Sequence, residues 1–395
     1  MKSPDTTCTG SPGNAACSSQ HRRIGVGVVI FTTGYGGADT IVLNWLHALQ
    51  RVPHIQSHLF TFAMPERFLA KASELHLRVH QLPWSRRKPL LRTTKVLADY
   101  VRRLHIDILH CHNPYADFVG CLLKRYTTIK TVNTFHAWGE SGLRLQILER
   151  LDLSVSRFFD QLTAASDAVR RGAIERGIPA EKIKTVRVCT SAAPAPLAPE
   201  VRAAQRSILG AGPEDLVFIS LARFYSVKRY DVMLRAFRSV VQTYPNTRLW
   251  MVGDGPEEAK MRELAVQLGV TNQAQFLGYR ADATELLPLA DLQLLTSDIE
   301  GLPMAILEGM AASLPIIATK VGGLPDVLVD GQSVLFTRPG NPEDVATAAL
   351  DLLQHQMKRH ALGTAARQIF TEHYAPECGA ASLAELYEDL ATELA

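Results

Sequence analysis

The segment Ser297-Asp-Ile-Glu-Gly-Leu-Pro-Met-Ala-Ile-Leu-Glu308 sets two glutamates, Glu300 and Glu308, on either side of a predicted helix start. Leu292, Leu294 and Leu295 before it read as a buried strand; Gly301 breaks the chain, and Pro303 suits the first helical position because it lacks an N–H. From Met304 onward, free backbone N–H groups and the positive helix end form an anion site worth up to about 2 kcal/mol when partly buried. A diphosphate fits there. At about 1.5 Å per residue the two carboxylates lie roughly 8 to 12 Å apart, too far to flank one anomeric carbon as the roughly 5 Å pair of a retaining glycosidase does. They can instead grip opposite ends of one extended ligand, Glu300 on sugar hydroxyls and Glu308 on a ribose diol. Two glutamates taken alone are more simply a dipole-favoured loop acid and a solvated helix residue, so the neighbours decide.

Those neighbours include Arg223 and Lys228, just past a predicted strand end in Leu221-Ala-Arg-Phe-Tyr-Ser-Val-Lys-Arg-Tyr-Asp231. Two cations there can neutralise a leaving diphosphate as its charge develops. An isolated pair of surface cations is commonplace, but its order with Glu300, Gly301, Pro303 and Glu308 is specific. His110 and His112 flank Cys111 and share a strand face, which suits a metal, yet no carboxylate or further Cys/His cluster completes a site; they read as structural or cleft-lining. The six cysteines are scattered with no Cys-x-x-Cys, which favours reduced thiols.

The elements that must position these residues alternate along the chain. Residues 24–31 form a nearly continuous apolar run that enters Thr32-Thr-Gly-Tyr-Gly-Gly37, and a helical period follows through Ile41, Val42, Trp45, Leu46 and Leu49. Further strands are expected at 57–62, 106–110, 129–134, 161–165 and 183–188, with a helix at 94–104. Between 188 and 199 periodicity gives way to prolines, the mark of a linker. A second alternating unit has strands at 216–222, 248–252, 274–277, 292–296 and 315–319 and helices near 231–241, 256–268 and 342–353. Such alternation implies an α/β protein of two doubly wound, Rossmann-like domains facing across a cleft, with ligands at the carboxyl ends of the strands. The expected division is a disordered start at 1–20, a first domain at 21–193, a second domain at 194–375, and a closing helix at 376–395 that returns to the first domain.

A length of 395 residues with 47% hydrophobic and 21% charged content agrees with two soluble globular domains. No apolar run reaches the roughly 20 residues that span a bilayer, and the opening residues lack a signal-peptide core, so a cytoplasmic protein is expected. The net charge of +3 conceals a basic front half and an acidic back half. The densest cationic stretch, with Arg86, Arg87, Lys88, Arg92 and Lys95 beside Trp84, Leu90 and Leu91, suits either a solvated helix face or contact with an anionic inner membrane surface. Nucleic acid is disfavoured, because few aromatics interleave the run and no nucleic-acid motif accompanies it.

At this point the chain resembles the retaining glycosyltransferases of family four, group 1, which have the GT-B fold. The resemblance runs from about residue 24 to the C-terminus. It rests on Gly36-Gly-Ala-Asp39, Asp107-Ile-Leu-His-Cys-His112 and Thr131-Val-Asn-Thr-Phe-His136, then on Arg223 with Lys228, Val252-Gly-Asp-Gly-Pro256, the Glu300 and Glu308 element, and Val321-Gly-Gly-Leu-Pro-Asp326. It implies a nucleoside diphosphate sugar donor, retention at the anomeric carbon, and no metal or other cofactor. It makes the first domain the acceptor side and the second the nucleotide-sugar-binding side. By the same resemblance Arg223 and Lys228 bind the diphosphate, Glu300 the transferred sugar and Glu308 the ribose. Backbone at Met304, Ala305 and Ile306 and the Gly36-Gly37 turn approach the phosphates, Gly278-Tyr279-Arg280 lies near the base, and His136 faces the reacting sugar, a buried structural histidine being the alternative. The chain departs from the family at Ala222 and Arg229, where glycine is usual, and at Cys189-Thr-Ser-Ala192, where Asn-Gly-Val-Asp is usual; no Asp-x-Asp occurs.

The expected reaction is transfer of a sugar to a glycan or lipid-linked acceptor hydroxyl, in cell-surface polysaccharide or glycolipid synthesis. The alternatives are an epimerase or hydrolase of the same fold, or a non-catalytic nucleotide-sugar-binding protein. A dehydrogenase is disfavoured, because Gly34-Tyr-Gly-Gly37 does not complete Gly-x-Gly-x-x-Gly.

Overall fold

The computed structural model describes residues 22–31, 35–62, 65–83, 89–136, 142–191 and 197–393, with the backbone alone for 142–148. The disordered start expected at 1–20, the cations Arg86, Arg87 and Lys88, and linker residues 192–196 lie outside the described residues.

Seven parallel strands form the first sheet: β1 (Ile24–Ile30), β2 (Ile55–Thr61), β3 (Val79–Gln81), β4 (Ile108–His112), β5 (Lys130–Phe135), β6 (Gln161–Ala164) and β7 (Ile183–Thr185), in the order β3-β2-β1-β4-β5-β6-β7. The second sheet has six: β8 (Leu216–Leu221), β9 (Thr247–Val252), β10 (Ala274–Gly278), β11 (Leu292–Leu295), β12 (Ile316–Thr319) and β13 (Leu335–Thr337), again all parallel, in the order β10-β9-β8-β11-β12-β13. Strand order therefore reverses between β1 and β4 and between β8 and β11, the positions where loops splay apart and admit a ligand. Burial on both faces explains the unbroken apolar runs: all seven residues of β1 are buried.

Helices cover the first sheet as α1 (Gly37–Leu49), α2 (Glu66–Glu74), α3 (Leu90–Arg103), α4 (Pro114–Leu123), α5 (Gly142–Ser156) and α6 (Asp167–Glu175). The second carries α7 (Pro199–Ile208), α8 (Tyr230–Thr243), α9 (Glu258–Gln267), α10 (Met304–Ala311), α11 (Leu324–Val327), α12 (Pro342–Gln354) and α13 (Gln356–His373), followed by α14 (Pro376–Thr392). The sequence gives little sign of α13, because small residues, Gly363 and Ala366, sit between Leu362 and Phe370 on its buried face and blunt the apolar period.

α14 packs against the first domain. Its Tyr387 hydroxyl lies 2.7 Å from His110 Nδ1, and its acids pair with first-domain bases, Glu388 with His54 at 2.7 Å and Glu393 with Lys130 at 2.7 Å. One apolar core is continuous from Trp45 and Leu46 of α1 through Leu383 and Leu386 of α14 to Ile306 and Met310 of α10. The two domains thus share packing beside the cleft. Among the described residues no helix is long and apolar enough to cross a membrane.

Candidate active site

The second-domain wall is stitched together from the loops that follow β8, β11 and β12. Lys228 Nζ lies 2.6 Å from Glu300 Oε1, and the Ser297 hydroxyl donates to the same oxygen at 2.6 Å. The Glu300 side chain is only 7% exposed and that of Lys228 22%, so the pair is largely withdrawn from water. Backbone bonds fix the pair: Thr296 Oγ1 donates to the Lys228 and Arg229 carbonyls at 3.1 and 3.0 Å, and Asp298 N–H to the Val227 carbonyl at 2.8 Å. Lys228, expected at the diphosphate, and Glu300, expected at the transferred sugar, touch each other directly. A carboxylate that accepts from both an ammonium and a hydroxyl is a weak nucleophile and a rigid hydrogen-bond acceptor.

Arg229 adopts φ 48° and ψ 47°, the left-handed region that favours glycine. Its guanidinium is held by Asp231 at 2.9 Å and by Asp298 at 2.9 Å, which offsets the backbone strain. Arg223 differs. It is exposed, its guanidinium lies 4.6 Å from the Tyr225 ring centroid, and among the described residues it pairs with no carboxylate. The positive charge available to an anion therefore rests on Arg223 and the start of α10.

That start is set by Pro303, which caps the helix rather than opening it; the first helical residue is Met304. Ile306 N–H turns to the Pro303 carbonyl at 3.0 Å, so of the three amides expected to meet phosphate, those of Met304 and Ala305 precede that bond. Gln293 on β11 donates to the Ala305 carbonyl at 2.7 Å and locks the first turn to the sheet. Gly322 (φ 58°) backs the loop: a Cβ there would sit 1.9 Å from the Glu300 carbonyl, and Gly323 N–H reaches the Gly301 carbonyl at 2.7 Å. The Val321-to-Asp326 motif is thus the floor under Glu300 and Gly301.

Glu308 projects from the second turn of α10 toward the first domain. Burial pushes its carboxyl up to about 7, with Lys71 on α2 opposing. Burial likewise pushes the Tyr35 phenol up to about 12; a hydrogen bond with Thr40 opposes this, and the charges of Tyr279, Glu308 and Asp39 add to it. The glycine turn before α1 therefore faces Glu308 and the β10 loop across the cleft. Gly36 precedes α1 and gives its N–H to Asp39 at 2.8 Å, while a Cβ on Gly37 would meet no atom of the described residues, leaving room for a ligand's close approach. Gly278 holds φ 65° and its carbonyl accepts from Gly253 N–H at 2.8 Å. Arg280 closes on Asp282 at 2.5 Å and is committed to its own loop, whereas Tyr279 lies under the Arg67 guanidinium, 3.8 Å from its ring centroid.

Behind the first-domain wall lies a buried stack of rings. His110 and His112, neighbours on one face of β4, have centroids 4.4 Å apart, and His112 Nδ1 lies 2.9 Å from His136 Nε2 at the end of β5. Trp45 packs on all three, and its Nε1 donates to the Arg187 carbonyl at 2.9 Å. Burial pulls His136 down to about 4 and His110 to about 3, and holds His112 well below the usual value. All three are neutral at pH 7, and His136 joins this cluster rather than standing alone.

Among the described residues, two ion pairs run between the sheet-bearing domains. Arg67 on α2 reaches Asp254 at 2.6 Å, and Arg171 on α6 reaches Asp326 at 2.7 Å. Sequence reasoning assigned no role to Ser297, Trp45, Tyr35, Arg67 or Lys71. Ser297, three residues before Glu300, carried the one local signal; the others meet their partners only through domain docking.

The sequence matches two family models in tandem, Glycosyltransferase Family 4 over residues 35–202 and Glycosyl transferases group 1 over residues 201–369. It is 29% identical over 307 residues to N-acetyl-alpha-D-glucosaminyl L-malate synthase of Bacillus anthracis, covering 74% of this chain and 77% of that protein. It is 24% identical over 354 residues to an uncharacterized glycosyltransferase of Haemophilus influenzae, covering 89% and 96%. Among solved structures, the fold is similar to HepE of Anabaena in complex with UDP-glucose, with a TM-score of 0.81 at 20% identity, covering 93% of this chain and all of that one.

Proposed function

The chain belongs to the group 1 glycosyltransferases of family 4, and we propose that it moves a hexose-type residue from a nucleoside diphosphate sugar to an acceptor hydroxyl with retention of anomeric configuration. The observation that carries this reading is the assembly of Arg223, the Lys228–Glu300 pair and the first amides of α10 on one wall of the cleft. Arg223 and the helix start take the diphosphate, and Lys228 bridges it to Glu300. Positive charge fixed before the reaction stabilises the departing diphosphate without reorganisation and without a metal.

Glu300, restrained by Lys228 and Ser297, accepts hydrogen bonds from sugar hydroxyls. With no enzymic nucleophile required, a diphosphate oxygen takes the acceptor proton on the face it leaves, which retains configuration. Glu308 takes the ribose, and Tyr279 with the Gly278 turn lies beside the base. A UDP-sugar is the first donor to try, since HepE was solved with UDP-glucose. The acceptor is a glycan, a lipid-linked sugar or a small hydroxylated molecule, as the names of the relatives suggest. Leu91, 63% exposed on α3 beside exposed Arg92 and Lys95, supports an anionic membrane surface as a further contact.

Incubation with labelled nucleotide sugars and an acceptor panel tests the reading. Acceptor-dependent product with the donor's anomeric configuration supports it. An altered donor sugar without acceptor indicates an epimerase or hydrolase, and binding without turnover indicates a sensor; either overturns it.

A further inference from the structure

The ion pairs between the sheet-bearing domains end on two separate segments of the second domain. Arg67 of α2 reaches Asp254 at 2.6 Å, and Arg171 of α6 reaches both oxygens of Asp326 at 3.0 and 2.7 Å. Among the described residues neither aspartate pairs with any other cation, so each depends on the first domain for its partner. Neither belongs to the charged wall itself. Each lies directly behind it.

The Val252-to-Pro256 segment encloses the backbone on both sides of Arg223. A Cβ on Gly253 would run into the Ala222 carbonyl, and one on Gly255 would lie 2.7 Å from the Phe224 nitrogen, so the approach requires glycine. Phe224 N–H donates to the Asp254 carbonyl at 2.9 Å, and Glu257 N–H to the Phe224 carbonyl at 3.0 Å. The chain at Arg223 is thus pinned to the residue whose carboxylate Arg67 holds.

The same arrangement recurs behind Glu300. Gly323 N–H donates to the Gly301 carbonyl at 2.7 Å, and Gly322 backs the Glu300 carbonyl so closely that a Cβ would overlap it. Asp326 N–H returns to the Gly323 carbonyl at 3.2 Å, which links the pair with Arg171 to that contact. The first domain also meets the segment through Ser166, the cap of α6: a Cβ on Gly323 would lie 3.4 Å from its Oγ. Leu324, 0% exposed, seats the segment in the apolar core that holds Ala165 of the first domain and Leu302 beside Gly301.

We propose that Arg67 and Arg171 are positioning residues through which the first domain braces the two halves of the charged wall separately, Arg67 the Arg223 loop by way of Asp254 and Arg171 the Glu300 loop by way of Asp326. The proposal rests on the reading of this cleft as a sugar-transfer site. It makes docking of the two domains a condition for the geometry of the diphosphate and sugar contacts.

Amide exchange and nucleotide binding read the two braces apart. The Arg67 and Arg171 side chains are 47% and 55% exposed, so their substitution leaves the fold intact. Partly exposed ion pairs are individually weak, and effects of roughly three- to fivefold are expected. In the substrate-free protein, Arg171→Gln speeds exchange at the Gly323 amide by that factor and leaves the Phe224 amide unchanged; Arg67→Gln does the reverse. Arg67→Gln also lowers the preference for the active donor's nucleoside diphosphate over its monophosphate by the same factor, whereas Arg171→Gln preserves it. The ratio cancels the contact of Arg67 with Tyr279, which both nucleotides share. In transfer assays Arg171→Gln lowers kcat by the same factor with the donor KM within about twofold, and Arg171→Lys, which keeps the charge, restores most of it. Wild-type exchange at both amides in either variant, or equal changes at both amides in each, overturns the proposal. Exchange is read without substrate, so its result stands apart from the donor screen. Absence of transfer in the wild type counts against the transfer reading, and undisturbed amides count against the braces.

Discussion

Three histidines and a tryptophan pack ring on ring behind the first-domain wall of the cleft, with Trp45, His110 and His112 buried, whereas the second-domain wall carries exposed Arg223, the Lys228–Glu300 pair and Arg229 with its two aspartates. On the proposed reading, the contrast follows from what each wall would meet. A departing diphosphate brings charge, and charge is best stabilised by cations already fixed in place. Sugar hydroxyls bring none, and a neutral domain behind them does not compete for the phosphates. Sheet geometry permits the division because each domain presents its own row of carboxyl-end loops, one row built from β1, β4 and β5 and the other from β8, β11 and β12.

The sharpest way to break this comparison is to remove the anchor of the charged wall. Glu300→Gln keeps the size of the side chain but not its charge, and it should lower transfer by about 10²–10³-fold, the range for loss of one preorganised catalytic hydrogen-bonding group. Initial rates at saturating donor measure this. Turnover near that of the wild type would remove Glu300 from the chemistry.

Acid and base separate the walls next, with opposite signs. The buried histidines have folded pKa values well under their ordinary 6.5, about 4 for His136 and about 3 for His110, so the unfolded chain binds more protons as pH falls. Their contribution to stability is whole above 6.5 and is lost as pH drops from 6.5 toward 4. Glu308 is raised from 4.5 to about 7, so its contribution is whole below 4.5 and is lost as pH rises through 7. Amide exchange at pH 5 against pH 7.5 should therefore show weaker protection in β4 and β5 and firmer protection in α10. Nucleotide affinity should rise between pH 6 and 8 as Glu308 ionises to accept ribose hydroxyls, and Glu308→Gln should remove that slope. Equal change in both walls would contradict their assignment.

The smallest effect belongs to Arg229. Glycine relieves the left-handed strain while the partly exposed pairs with Asp231 and Asp298 are lost, each worth about 0–1 kcal/mol. Arg229→Gly should change stability by less than about 1 kcal/mol in thermal unfolding. A larger loss would mean that the Asp298 pair holds the Glu300 loop more firmly than its exposure suggests.

The charged wall was the more legible in the sequence. Glu300, Arg223 and Lys228 stand beside strand ends and a helix start, features written locally by Gly301, Pro303 and a short apolar run. The contact between Lys228 and Glu300 was not legible, because it depends on the pairing of β8 with β11, far apart in the chain. The neutral wall was legible only in part. His110 and His112 showed their shared face through period two, but Trp45, Tyr387 and the bond to His136 arise from helices laid over the sheet. Docking between domains left almost no local trace: Arg67 and Lys71 are two ordinary cations of α2 until Asp254, Tyr279 and Glu308 are brought opposite them.

Equilibrium titration of nucleoside diphosphate and nucleoside monophosphate into the wild-type protein and Arg223→Ala tests the charged wall most directly. Arg223 is exposed and has no carboxylate partner among the described residues, so its removal should leave the fold alone. The account predicts that the wild type binds the diphosphate at least about tenfold more tightly than the monophosphate, and that Arg223→Ala erases most of that preference. Equal affinity for the two nucleotides, or a preference that survives in Arg223→Ala, would contradict it.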